Sequence, residues 1–212
     1  MSKVVKIAIV DDHPLFRIGT RMALMPFYEL NNISTYATGQ LFFEAYNDFK
    51  PQIVLLDIMM PEMNGLQVAE KIKAENLDVK ILVLSAETDE ATILKAMEIG
   101  VDGFISKSAL PEEIYNAIET ILAGADYFGE DIAKILKAVA EEKKVQEELF
   151  SSRELEIIRY CADGLMSKEI AEKLCISART VEGHKLNIFR KMGITNTAEL
   201  IKYSVRNGIV KL

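Results

Sequence analysis

A chain of 212 residues, half of them hydrophobic and 27% charged, is long for one domain and comfortable for two soluble ones. No apolar run approaches the ~20 residues that span a bilayer, and the start, Met1-Ser2-Lys3-Val4-Val5-Lys6, has no signal-peptide cleavage site, so a cytoplasmic protein is expected. The net charge of −7 is unevenly spread: residues 1–148 balance to −11 and residues 149–212 to +4, so only the second stretch suits a polyanionic partner.

The apolar run 6–10 predicts a buried strand, followed by a helix over 14–25. Residues 33–38 form a weaker strand, and 40–47 a helix entered from Thr38 and Gly39. A strand at 53–56 and a helix at 65–75 come next, then a strand at 80–84 and a helix at 90–99 capped by Thr88 or Asp89. A short strand at 103–106 leads to a helix at 111–122 with Pro111 at its start. Five strands alternating with five helices predict a parallel sheet covered on both faces. Residues 124–148 change character. There Lys134, Lys137, Glu141 and Lys144 alternate with Ile132, Ile135, Leu136 and Val139 at helical spacing, which predicts a charged helical linker between domains at 1–123 and 149–212. The last stretch predicts four helices, at 153–163, 167–174, 178–192 and 197–207. His13 and His184 stand far apart, so a zinc site is not expected; Cys161 and Cys175, in apolar company, read as buried small hydrophobes.

The chemistry sits at the strand ends. Asp11 and Asp12 follow the first strand, Asp57 the third, Ser85 the fourth and Lys107 the fifth. A strand order 2-1-3-4-5 would gather all four ends at the carboxyl edge, where parallel sheets bind ligands. Three crowded carboxylates call for a hard cation such as Mg²⁺. A lysine and a hydroxyl opposite them suit a phosphoryl group. Singly, each Asp could cap a helix or close a turn; as a set, each at a different strand mouth, they argue for a site.

Asp11-Asp12, the segment Asp57-Ile-Met-Met-Pro-Glu-Met-Asn-Gly65, Ser85-Ala86 and Gly103-Phe-Ile-Ser-Lys107 resemble the receiver domain of two-component response regulators, over residues 4–123. The resemblance implies a flavodoxin-like five-stranded sheet with Asp57 as phosphoacceptor and a sensor histidine kinase as donor. It implies that Asp12, Asp57 and the Met59 backbone carbonyl ligate Mg²⁺, with Asp11 acting through water. Ser85 and Lys107 would hold the phosphoryl oxygens, and Phe104 would be the aromatic switch residue. Self-phosphorylation and self-dephosphorylation are the only reactions expected; Glu87 and Met59 would border the site. A phosphohydrolase is the rival reading. Against it, no second Asp follows Asp57 by two residues and no glycine-rich phosphate loop is present.

Ser151-Ser-Arg-Glu154 fits a capping box. A short amphipathic helix, a tight Cys175-Ile176-Ser177 connection and a polar-studded helix then form a helix-turn-helix pattern. Ser152-Arg-Glu154, Gly164-Leu-Met-Ser-Lys-Glu-Ile-Ala171, Ile176-Ser-Ala-Arg-Thr-Val181 and His184-Lys-Leu-Asn-Ile188 resemble the NarL/FixJ (LuxR-type) DNA-binding domain over 149–212. The resemblance implies an all-α domain contacting double-stranded DNA through Lys168, Arg179, Thr180, Glu182, Gly183, His184, Lys185 and Asn187, with His184 packed against the domain as an alternative. It also implies a homodimer on activation and RNA polymerase as a further partner.

Overall fold

The computed structural model describes residues 4–206, 209 and 210, and divides the chain into two compact units, one ending at Leu136 and one beginning at Lys137. Asn207, the expected last residue of the C-terminal helix, lies outside the described residues.

In the first unit, β1 (Ile7–Val10), β2 (Ile33–Tyr36), β3 (Ile53–Leu56), β4 (Lys80–Ser85), β5 (Gly103–Ser106) and β6 (Tyr127–Phe128) form one sheet in the order β2-β1-β3-β4-β5-β6. Every neighbouring pair is parallel. The strands are apolar at nearly every position because both faces are covered. One face carries Val10, Leu56, Val83 and Phe104 against Phe42, Val68 and Ile93, from α2 (Gly39–Phe49), α3 (Gly65–Ala74) and α4 (Glu90–Ile99). The other carries Ile9, Leu55 and Leu84 against Leu24 of α1 (Pro14–Leu24) and Ile114, Ile118 and Ile121 of α5 (Pro111–Leu122). Side chains Thr38, Asn64 and Asp89 accept backbone N–H groups at the starts of α2, α3 and α4, which settles Asp89 rather than Thr88 as the cap.

Among the described residues the sheet has six strands, not five. The sixth is only two residues long, too short to leave a periodicity, and it lies in the segment whose composition suggests a linker. Backbone pairing holds it: the Tyr127 N–H donates to the Asp102 carbonyl at 3.1 Å and the Gly129 N–H to the Phe104 carbonyl at 3.0 Å. The helix that follows, α6 (Glu130–Leu149), buries Ile132 completely in the core around Phe104, with Ile135 and Leu136 packed beside it.

The second unit packs α7 (Ser152–Ala162), α8 (Ser167–Lys173), α9 (Ala178–Met192) and α10 (Thr197–Arg206) around Leu155, Ile158, Cys161, Ile170, Val181, Ile188 and Leu200. The capping box at Ser151 and Glu154 is present, and Ser177 caps α9. Glu154 is buried. Burial pushes its carboxyl up, but Lys191 at 2.6 Å and the Ser151 N–H and hydroxyl outweigh that and hold it below the usual range. Cys175 departs from expectation. It is exposed, at the tight turn between α8 and α9, where its φ of 51° places the backbone in the left-handed region. Cys161 is buried as expected.

Candidate functional site

The parallel sheet brings the predicted residues to one edge. Asp11 continues β1, its N–H bonded to the Tyr36 carbonyl at 3.1 Å, and Asp57 continues β3, its N–H bonded to the Val10 carbonyl at 2.9 Å. Both side chains are about 2% exposed. The Lys107 ammonium, at the end of β5, lies 2.7 Å from Asp11 Oδ2 and 2.8 Å from Asp57 Oδ2. Ser85 is fully buried at the end of β4. Its carbonyl accepts the Lys107 N–H at 2.8 Å, and its Oγ accepts the Glu87 N–H at 3.0 Å. Phe104 is fully buried in β5, paired across the sheet with Val83 and Phe128. The Lys107–Ser108 peptide is trans.

His13 is the residue that reading the sequence missed. Its Nδ1 lies 2.8 Å from Asp12 Oδ1, and ligand atoms of Asp11, Asp12, His13 and Asp57 all fall within 4.8 Å of one another. Its place directly after Asp12 was the available signal.

The carboxylates are short of partners. Asp11 Oδ2, Asp12 Oδ1 and both Asp57 oxygens are buried without a well-directed hydrogen bond; Lys107 lies close to Asp11 and Asp57, and His13 close to Asp12. Burial raises the Asp57 carboxyl above its ordinary pKa and Asp11 adds to the rise, while Lys107 and the Met59 backbone oppose it. A buried, under-satisfied set of hard oxygen donors fits a divalent cation such as Mg²⁺.

The loop from Asp57 to α3 is held by close packing. The Gly65 N–H donates to the Ile58 carbonyl at 2.9 Å, and a Cβ at Gly65 would lie 2.0 Å from the Asp57 carbonyl oxygen. Backbone cannot yield there as a flexible side chain could. Gly65→Ala is therefore expected to destabilise the first unit by about 3 kcal/mol and to weaken metal binding by displacing Asp57; calorimetry and a metal titration check both.

The predicted DNA-contacting residues lie on α8 and α9. Lys168, Arg179, Thr180, Glu182, Gly183 and Asn187 are exposed, whereas His184 and Lys185 are half-buried. Lys185 Nζ donates to Ser167 Oγ at 3.3 Å and lies 3.7 Å from Glu182 Oε1, while the Ser167 hydroxyl donates to Glu182. These contacts tie the start of α8 to α9.

Residues 7–119 match the model of the response regulator receiver domain, and residues 148–204 that of the luxR family of bacterial regulatory proteins. The chain is 34% identical to the transcriptional regulatory protein LnrK of Bacillus subtilis over 97% of its own length and 99% of the relative's. It is 31% identical to the response regulator UvrY of Escherichia coli, over 97% and 96% of the two chains. The structure resembles the RcsB response regulator of Salmonella typhimurium at a TM-score of 0.60 and 22% identity, covering 94% of this chain and 97% of the other. The chain belongs to the NarL/FixJ response regulators, which join a receiver domain to a LuxR-type helix-turn-helix domain.

Proposed function

We propose that Asp57 accepts a phosphoryl group from a phosphohistidine of a sensor kinase, and that the resulting aspartyl phosphate drives dimerisation and DNA binding. The observation that carries this is the buried carboxylate pair, Asp11 and Asp57, sharing one lysine at the mouth of the sheet. In the transfer, an Asp57 carboxylate oxygen forms the new bond to phosphorus as the phosphorus–nitrogen bond of the donor breaks. Positioning and charge neutralisation do most of the work in such transfers. Asp12, Asp57 and the Met59 carbonyl would hold Mg²⁺, with Asp11 acting through water; bound there, the ion neutralises phosphoryl charge. Lys107 and Ser85 receive the phosphoryl oxygens, the first by charge and the second by its hydroxyl. His13 stands at the same mouth.

The DNA-contacting set is Lys168, Arg179, Thr180, Glu182, Gly183, His184, Lys185 and Asn187. A regulator of the same fold has been solved in complex with DNA. The described residues contain no helix long and apolar enough to cross a membrane, and a site of action in the cytoplasm, with RNA polymerase as a further partner, is part of the reading. The test is to label the protein with a phosphorylated kinase domain or acetyl phosphate, then titrate it onto duplex DNA at increasing salt. Binding is expected to weaken linearly in log–log form, because Lys and Arg contacts release counterions. Affinity that ignores salt would sink the DNA assignment.

A further inference from the structure

The outward face of α9 carries two features that folding does not require. Val181 and Ile188 are fully buried in the core. On the opposite side, Arg179, Gly183, Leu186 and Arg190 follow one another at spacings of four, three and four residues, which places them on one line along the helix. All four are exposed, Leu186 by 61%. A large apolar side chain in water gains nothing for the fold. Gly183 is equally unexplained by packing: a Cβ there would meet nothing within 4 Å, and glycine inside a helix is less stable than alanine. Both features suit a surface that closes on a ligand. The missing Cβ lets the ligand approach the helix backbone, and the adjacent isobutyl group offers an apolar contact. Arg179 and Arg190 flank the pair with positive charge.

Among the base edges of the major groove, the apolar group is the C5-methyl of thymine. Glu182, the neighbouring polar candidate for base reading, is engaged with Ser167 and Lys185. The geometry points to the Gly183–Leu186 notch of α9 as a thymine reader that grips the C5-methyl. This rests on the DNA-binding reading above, and makes Leu186 a specificity-determining residue that the recognised motif leaves without a role.

The test uses the full-length protein with Mg²⁺ and beryllofluoride, on a duplex recovered by selection from a random-sequence pool. Each thymine of the recovered site is replaced in turn by deoxyuridine, which lacks only the methyl. Wild type is expected to lose affinity about fourfold at one position per half-site, the worth of one buried methyl. Leu186→Ala is expected to lose a similar factor on the parent duplex and nothing more on the deoxyuridine duplex, whereas Leu186→Met keeps the sensitivity. Gly183→Ala is expected to raise the melting temperature yet weaken binding several-fold. Melting curves confirm that the Leu186 variants fold. Indifference of wild type to every deoxyuridine, or an undiminished response in Leu186→Ala, overturns the proposal while leaving DNA binding intact. Failure to recover any duplex defeats the DNA-binding reading itself, and this proposal with it.

Discussion

Asparagine in place of Asp57 is expected to abolish phosphoryl uptake while making the metal-free protein more resistant to heat. Uptake fails because an amide oxygen is a poor nucleophile and forms no stable acyl phosphate. The stability gain follows from the site's electrostatics. Burial raises the Asp57 carboxyl and Asp11 reinforces it, with Lys107 and the Met59 backbone offsetting only part. The folded state therefore holds the Asp57 proton more tightly than the unfolded chain does. That contribution is fully present below the unfolded pKa and is lost as pH rises through the higher folded one. Deprotonating Asp57 in the folded state therefore costs stability, and the amide removes that cost. Calorimetry without Mg²⁺ is expected to show Asp57→Asn melting a few degrees above wild type at pH 7. The gap should shrink as the pH falls towards the ordinary Asp pKa of ~3.9. Mg²⁺ should then raise the wild type more than the variant, since a ligand stabilises the state that binds it. Labelling of Asp57→Asn at the wild-type rate would remove Asp57 as the acceptor.

Beryllofluoride, a phosphoryl mimic, is expected to convert the full-length protein to a dimer and to tighten operator binding ~10²–10⁴-fold. A single helix-turn-helix makes few contacts, and linking two makes the second binding event intramolecular. The mimic can shift the equilibrium only by its difference in affinity between inactive and active conformations. Ser85 is where that difference can arise. Its hydroxyl accepts the Glu87 N–H at 3.0 Å, so drawing it towards a phosphoryl oxygen pulls on the loop leading to α4. Phe104 is already fully buried, so any rearrangement there repacks an existing core contact. Ser85→Ala is expected to keep phosphorylation at Asp57 but to lose most of the gain in dimerisation and affinity. Sedimentation and operator titration, with and without beryllofluoride, measure both. If wild-type mass and affinity stay the same at saturation, phosphorylation does not control DNA binding through dimerisation.

The main strands were legible because each buried strand is a short apolar run bounded by helix-starting residues; their order came with the resemblance to receiver domains, and a parallel sheet in that order gathers the strand ends at one carboxyl edge. The placement of Asp11, Asp12, Asp57, Ser85 and Lys107 followed from that topology without knowledge of any contact distance. What escaped was set by tertiary contact. β6 is fixed by two carbonyls, those of Asp102 and Phe104, which no local pattern announces. Cys175 takes a left-handed conformation because the α8–α9 turn demands it. Lys185 was expected only as a DNA contact, and folding places its ammonium beside Ser167 and Glu182 as well. Leu186 drew no role from the sequence, since only the packing of Val181 and Ile188 shows which side of α9 faces outward.

The sixth strand bears on how the receiver can be excised. A fragment stopped at residue 123 would leave β5, the strand that carries Phe104 and leads to Lys107, with a bare hydrogen-bonding edge. It would also uncover the apolar surface now closed by Phe128, Ile132, Ile135 and Leu136. Such an edge invites pairing with a second copy, so association of that fragment would report the cut and not the phosphorylation state. A fragment carried through Leu136 keeps β5 paired with β6 and retains that apolar cover, so its self-association on phosphorylation can be attributed to the aspartyl phosphate.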